Sequence, residues 1–148
     1  MNATHSLLVG GYPDPSGTWS YNWTSQTWTA TGDLNANRTS HGCALLKDKG
    51  VLIVGGYNEG TAELYDPNTG VSIVQPVPPP GVGLDQPLLL EWNNTVIAMF
   101  ERETEIYEYM EDGSWTVLQG ARLPETNGRN NQQNKAVLVP DSFALGCL

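Results

Sequence analysis

Apolar and polar positions alternate along this chain in short runs, and no run reaches the length or the period of a helix. Val, Ile, Leu, Tyr and Trp gather in brief stretches bounded by Gly, Pro, Asn, Asp or Ser, which is how strands separated by turns are written. The pattern predicts strands near Ser6–Val9, Thr18–Trp23 and Thr27–Ala30, then near Gly42–Leu46, Val51–Val54, Thr61–Tyr65 and Val71–Gln75. Further strands are predicted near Pro87–Trp92, Thr95–Phe100, Glu105–Tyr109 and Ser114–Leu118, and a last one at Lys135–Val139. Pro76 to Gly83 is a proline-rich connector suited to an exposed crossover, because proline has no N–H to satisfy. Pro124 to Asn134 reads as a polar loop.

The strands repeat. Leu7-Leu8-Val9-Gly10-Gly11-Tyr12 returns as Leu52-Ile53-Val54-Gly55-Gly56-Tyr57, a shift of 45 residues. Tyr21, Tyr65 and Tyr107 stand 44 and 42 residues apart, each followed by a turn and another strand, with Trp28 and Trp115 in the first and third copies. A period in the forties built of strands and turns is the mark of propeller blades. Glycine pairs such as Gly10-Gly11 and Gly55-Gly56 let a strand end in strained dihedrals and let backbones approach closely. A Tyr or Trp buries a large area between sheets while keeping one polar tip for a hydrogen bond. Asp66-Pro67-Asn68-Thr69-Gly70 is turn chemistry, and Thr24-Ser25-Gln26 and Glu111-Asp112-Gly113 supply matching hairpins.

This pattern resembles the Kelch repeat, a hydrophobic run ending in a diglycine and followed by a spaced Tyr and Trp. Residues Arg38 to Ile73 carry the clearest copy, with Arg38, His41, Gly55-Gly56, Tyr65-Asp66-Pro67 and Thr69-Gly70. The first copy begins at its second strand and keeps Gly10-Gly11, Tyr21 and Trp28. The third lacks the diglycine, with Ala98-Met99 in that region, and keeps Tyr107 and Trp115. The resemblance implies an all-β, Kelch-type β-propeller segment over residues 1–148, three blades' worth of four-stranded antiparallel sheets. Blade one would cover about 6–36, blade two about 37–80 and blade three about 81–124, with a closing strand at about 135–139 that supplies the first blade's missing inner strand and hides an edge. Propellers use four or more blades. Three therefore imply a fragment of a longer propeller, or a homodimer or partner chain that completes the ring. A lone three-blade arc would leave two sheet faces bare.

Charge narrows the partners. The formal net charge is −9 and the few Lys and Arg are scattered, which argues against nucleic acid and anionic membrane surfaces. No stretch approaches the ~20 apolar residues of a membrane span. Met1-Asn2-Ala3-Thr4 has neither the basic nor the apolar part of a signal peptide. Four glycosylation sequons, at Asn2, Asn22, Asn37 and Asn93, and two cysteines able to form one disulfide, Cys43 and Cys147, favour a secreted protein whose leader lies outside this sequence. A cytoplasmic protein is the alternative. A Cys43–Cys147 bridge would latch the closing strand for ~4–5 kcal/mol by the chain-entropy relation; two unpaired thiols are the other reading.

Candidate catalytic groups are few. The histidines, His5 and His41, and the two cysteines lack zinc-ligand spacing, so neither metal nor cofactor is expected. Galactose-oxidase-like enzymes belong to the Kelch type, but no His pair here matches their copper site. Asp14-Pro15-Ser16-Gly17-Thr18-Trp19 and Asp112-Gly113-Ser114-Trp115 echo a sialidase box at the wrong spacing and read as turns. Glu101, Glu103 and Glu105 would share one face of a strand, fit to attract a cation or a basic partner, or simply to be solvated. Loops after each second strand, Tyr12 to Ser16, Tyr57 to Gly60 and Phe100 to Thr104, gather at one end of a propeller. They nominate Tyr12, Asp14, Tyr57, Asn58, Glu59, Glu101, Arg102 and Glu103 as a binding face. The expected function is a noncatalytic scaffold for protein or glycan. The alternatives are a fragment of a carbohydrate-active or galactose-oxidase-like enzyme with its catalytic residues in missing blades, and an intracellular Kelch adaptor.

Overall fold

Turn residues cut the chain into strands short enough to pair with their immediate neighbours, and the computed structural model is built almost entirely of such meanders. It describes residues 4–79, 82, 84–92, 95–100, 103–123, 135–137 and 145–147. The first sheet is antiparallel and three-stranded: β1 (His5–Val9), β2 (Gly17–Asn22), β3 (Thr27–Asp33). A four-stranded sheet follows: β4 (Gly42–Leu46), β5 (Gly50–Val54), β6 (Ala62–Asp66), β7 (Val71–Gln75). The third, also four-stranded, holds β8 (Leu88–Trp92), β9 (Thr95–Met99), β10 (Glu105–Tyr109) and β11 (Trp115–Arg122). A small pair, β12 (Lys135–Val137) and β13 (Leu145–Cys147), completes the described elements, and none of them is a helix. β4, β7 and β10 occupy the expected residues. β11 runs further than its alternation indicated, because a register shift between Glu105 and Tyr107 carries pairing on to Arg122.

The second sheet is the middle layer. On β5 and β6, Leu52, Val54 and Ala62 face the third sheet and pack with Leu89, Val96, Ala98 and Tyr109. Ile53 and Tyr65 point the other way, against Val9 and Leu34 of the first sheet and its outgoing connector. A strand covered on both sides has no polar face to show, which accounts for the unbroken run Val51–Val54. Each such side chain taken out of water stabilises the stack by about 1.5–3 kcal/mol. First strands lie side by side, β4 against β8, and fourth-position strands do the same, β3 against β7.

The first and second sheets each hand over to the next at the second glycine of their diglycine. The Gly11 N–H donates to the Arg38 carbonyl at 2.9 Å, and the Gly56 N–H donates to the Leu84 carbonyl at 3.2 Å. Arg38 and Leu84 each lie four residues ahead of the following sheet's first strand, β4 and β8. Gly55 has φ +64, and a Cβ there would stand 1.9 Å from the Leu84 carbonyl oxygen, so only glycine fits.

Strand register corrects the third copy. Val51 pairs with Tyr65, Ser6 with Tyr21 and Val96 with Tyr109. The residue matching Tyr21 and Tyr65 is therefore Tyr109, at an even spacing of 44, and Tyr107 stands at the position of Glu63. Tyr107 and Tyr109 share one face of β10, so alternation alone does not separate them. By the same register Phe100, not Ala98-Met99, takes the place of Gly55. The expected closing strand forms over Lys135–Val137 but pairs with β13 and runs beside β8. Among the described residues β1 pairs only with β2, so the first sheet has three strands and its first-strand position is empty.

Candidate functional site

Two of the three loops nominated as a binding face, those of Tyr12 and Tyr57, leave the same end of their sheets because the same connector ties both down. Gly11 bonds to the Arg38 carbonyl, and the Tyr57 N–H donates to the Thr39 carbonyl at 2.8 Å. Above this anchor the aromatic rings are free: Tyr12 is 94% exposed and Tyr57 69%. Asp14 caps the turn back into β2, its Oδ1 accepting from the Gly17 N–H at 3.2 Å. Asn58 takes φ 58 and its N–H donates to Asp85 Oδ1 at 3.3 Å. The Glu59 carboxylate accepts from the Thr61 hydroxyl. Glu103 lies in a turn, its N–H donating to the Phe100 carbonyl at 3.3 Å; β10 starts only at Glu105, so these two carboxylates do not share a strand. Glu105 instead pairs with Arg122 at 3.4 Å on the surface. Glu101 and Arg102 lie outside the described residues.

Beneath the loops sits a polar cluster of which the sequence disclosed only Arg38 and His41. The Arg38 Nε donates to Glu63 Oε1 at 2.7 Å, and both side chains are only 1% exposed. Its Nη1 donates to the carbonyls of Gly55 and Thr61 at 2.8 and 3.0 Å, and its Nη2 to the Thr61 hydroxyl at 2.7 Å. Glu63 Oε2 accepts from the Asn35 N–H at 2.8 Å and from the Ser72 hydroxyl at 2.5 Å. Burial pushes the Glu63 carboxyl up. The hydrogen bonds from Ser72, Asn35 and Arg38, and the Arg38 charge, outweigh it and hold the group below its ordinary value. Beside this pair, burial and then the Arg38 charge lower His41, which keeps it neutral, and its buried Nδ1 has no hydrogen-bond partner among the described residues. Every side-chain nitrogen and oxygen of the pair has a partner within the fold, so the cluster serves to hold the loop end in place. Among the described residues no three His, Cys, Asp or Glu side chains converge to hold a metal ion.

The remaining nominated residues are scattered. Asn37 is exposed, while Asn22 is half-buried, its Oδ1 accepting from the N–H groups of Thr24 and Ser25; Asn2 and Asn93 lie outside the described residues. Cys43 carries a free, exposed thiol on β4, and the side chain of Cys147 on β13 lies outside the described residues. Among the described residues no helix is long and apolar enough to cross a membrane.

One surface escaped the pattern reading. Alternation put Tyr21 and Trp28 between sheets, but on the first sheet they join Leu8, Trp19 and Trp23 on its outer side, with Trp23 58% and Trp28 54% exposed. Tyr21 packs against Trp28 and edge-on to Trp23, both at 4.9 Å between ring centroids. Four aromatic residues within ten positions were the available signal.

Neither a family model nor a curated protein matches this chain, so its class rests on the architecture, an all-β stack of antiparallel meanders.

Proposed function

We propose that this chain is a Kelch-type β-propeller segment acting as a noncatalytic recognition scaffold outside the cell, with a protein or glycan bound at the Tyr12–Tyr57 end. The observation that carries the reading is the pair of exposed tyrosines, 94% and 69% open to water, whose loops are tied to adjacent residues Arg38 and Thr39 of one connector that also supplies the buried Arg38–Glu63 pair. Large rings on a fixed backbone lose little entropy on binding, which is why Tyr recurs at hot spots. The propeller part draws support from joints that repeat at the same positions and from first strands lying against first strands. The extracellular part draws support from Asn37, a sequon residue on the surface.

The test is binding of the intact chain to immobilised panels of glycans and of extracellular protein domains, with Tyr12→Ala and Tyr57→Ala beside the unaltered protein. A hot-spot tyrosine is worth ~2 kcal/mol or more, so each substitution weakens a true ligand roughly 30-fold with no change in unfolding midpoint. A ligand bound equally well by the double variant places recognition elsewhere.

A further inference from the structure

The two outer faces of the stack are the two halves of a joint this molecule already makes twice. In the third sheet Tyr109 and Trp115 lie 5.0 Å apart and point at the second sheet. The Tyr109 hydroxyl donates to Gln75 Oε1 at 2.7 Å on β7, and Trp115 Nε1 donates to the Pro76 carbonyl at 2.9 Å just beyond it. The equivalent Tyr65 points at the first sheet, its hydroxyl donating to Thr31 Oγ1 at 2.6 Å on β3 and accepting from the Gly32 N–H at 3.2 Å. Each tyrosine thus reaches the last strand of the sheet before it. Tyr21 and Trp28 form the same pair at 4.9 Å on the first sheet, facing solvent, and no described residue bonds to either polar tip.

The opposite end carries the matching half. In the first two sheets, the face that receives the next sheet is aliphatic, with Leu7 and Val9 in one and Leu52, Val54 and Ala62 in the other. The same face of the third sheet presents Leu88, Leu90, Ile97 and Met99, half-buried, with Trp92 48% exposed at its rim. The edges match as well. β12 runs beside β8 as β8 runs beside β4, so it stands where a following sheet's first strand belongs, and the first sheet lacks that strand. Cys43 and Leu45 on β4 are exposed on the face turned toward that empty position, Leu45 by 53%.

We propose that two copies of this chain associate head to tail. The Tyr21–Trp28 face of each docks on the Leu90–Ile97 face of the other, and β12 of each copy exchanges its β13 partner for the free edge of the other's β1. Two such contacts close under a two-fold axis into a ring of six sheets. Trp19, Trp23 and Trp28 still expose 38%, 58% and 54% of their surface; at roughly 150–250 Å² per aromatic side chain, and with the opposing face giving up a like area, two contacts come to the ~1,200 Å² of a specific interface. This pairing rests on the propeller reading above.

Light scattering on the intact chain then gives about twice the 16.1 kDa chain mass. Trp28→Arg and Trp92→Arg, both at exposed positions, each give a monomer with unchanged far-ultraviolet circular dichroism. Mixing the two variants restores a dimer, because one of the two contacts then joins unaltered faces. Peptide mapping after alkylation reads the strand exchange, with Cys43 protected in the dimer and modified at least ten-fold faster in either variant. A monomeric unaltered chain at micromolar concentration overturns the pairing, and so does a dimer broken by Trp28→Arg but untouched by Trp92→Arg. A monomer that still binds through Tyr12 and Tyr57 loses the pairing alone and leaves the scaffold reading standing.

Discussion

Arg38 and Glu63 are taken fully out of water at 2.7 Å from one another, a costly arrangement unless every remaining polar atom finds a partner. Here Gly55, Thr61, Asn35 and Ser72 supply those partners. Removing one member leaves the other charged and dry, so Arg38→Met costs about 3–5 kcal/mol in urea unfolding. Acid acts on the same cluster in two stages. His41 is lowered from 6.5, so the unfolded chain takes its proton first, and stability is lost as pH falls through 6.5. Glu63 is lowered from 4.5, so its contribution is complete above 4.5 and is lost as pH falls through the still lower folded value. Urea midpoints followed from about pH 7 to about pH 3 show both stages; His41→Gln removes the upper one and Glu63→Gln the lower. A midpoint flat across the upper stage in the unaltered protein would overturn the assignment to His41.

At the scale of elements, the joint between sheets depends on backbone meeting backbone. Gly55→Ala forces a Cβ to 1.9 Å from the Leu84 carbonyl at φ +64, whereas Gly60→Ala meets nothing within 4 Å. The first substitution destabilises by more than about 1 kcal/mol and the second leaves the thermal midpoint within about 2 °C. Equal midpoints for the two variants would mean that the close approach is unimportant. These elements were also the most legible part of the chain. Alternation located β4, β7 and β10 to the residue, because turn residues such as Asp66-Pro67-Asn68 bound them sharply. It misjudged β11, where a bulge rather than a turn decides the end, and it chose Tyr107 over Tyr109 because a one-sided period of two cannot rank two tyrosines on one face. Glu63 and Ser72 gave no warning at all, since a polar residue on a strand ordinarily faces water, and only the arrival of Arg38 from another segment makes it interior.

For the whole molecule, coverage is unequal. Among the described residues the second sheet packs a buried core on both faces, the first and third on one each. Amide exchange is therefore slowest in β5 and β6, with β1 to β3 opening first, because local stability follows buried contacts. Mass-resolved hydrogen exchange checks this; uniform protection across the three sheets would show that the stack opens only as one unit. The order of the stack was legible from the repeat, and so was the expectation that three units alone leave two faces bare; which residues stand on those faces was not. A period states what each unit resembles, not whether a neighbour is present, so Tyr21 and Trp28 read as interior residues although Tyr21 is only half-buried and Trp28 is 54% exposed.

The handover from Gly11 to Arg38 and from Gly56 to Leu84 uses only groups within one unit and the first residues of the next. Nothing in it depends on how many units came before. A gene encoding such a module lengthens by tandem duplication without inventing a new contact, and shortens by deletion without leaving a misfit inside.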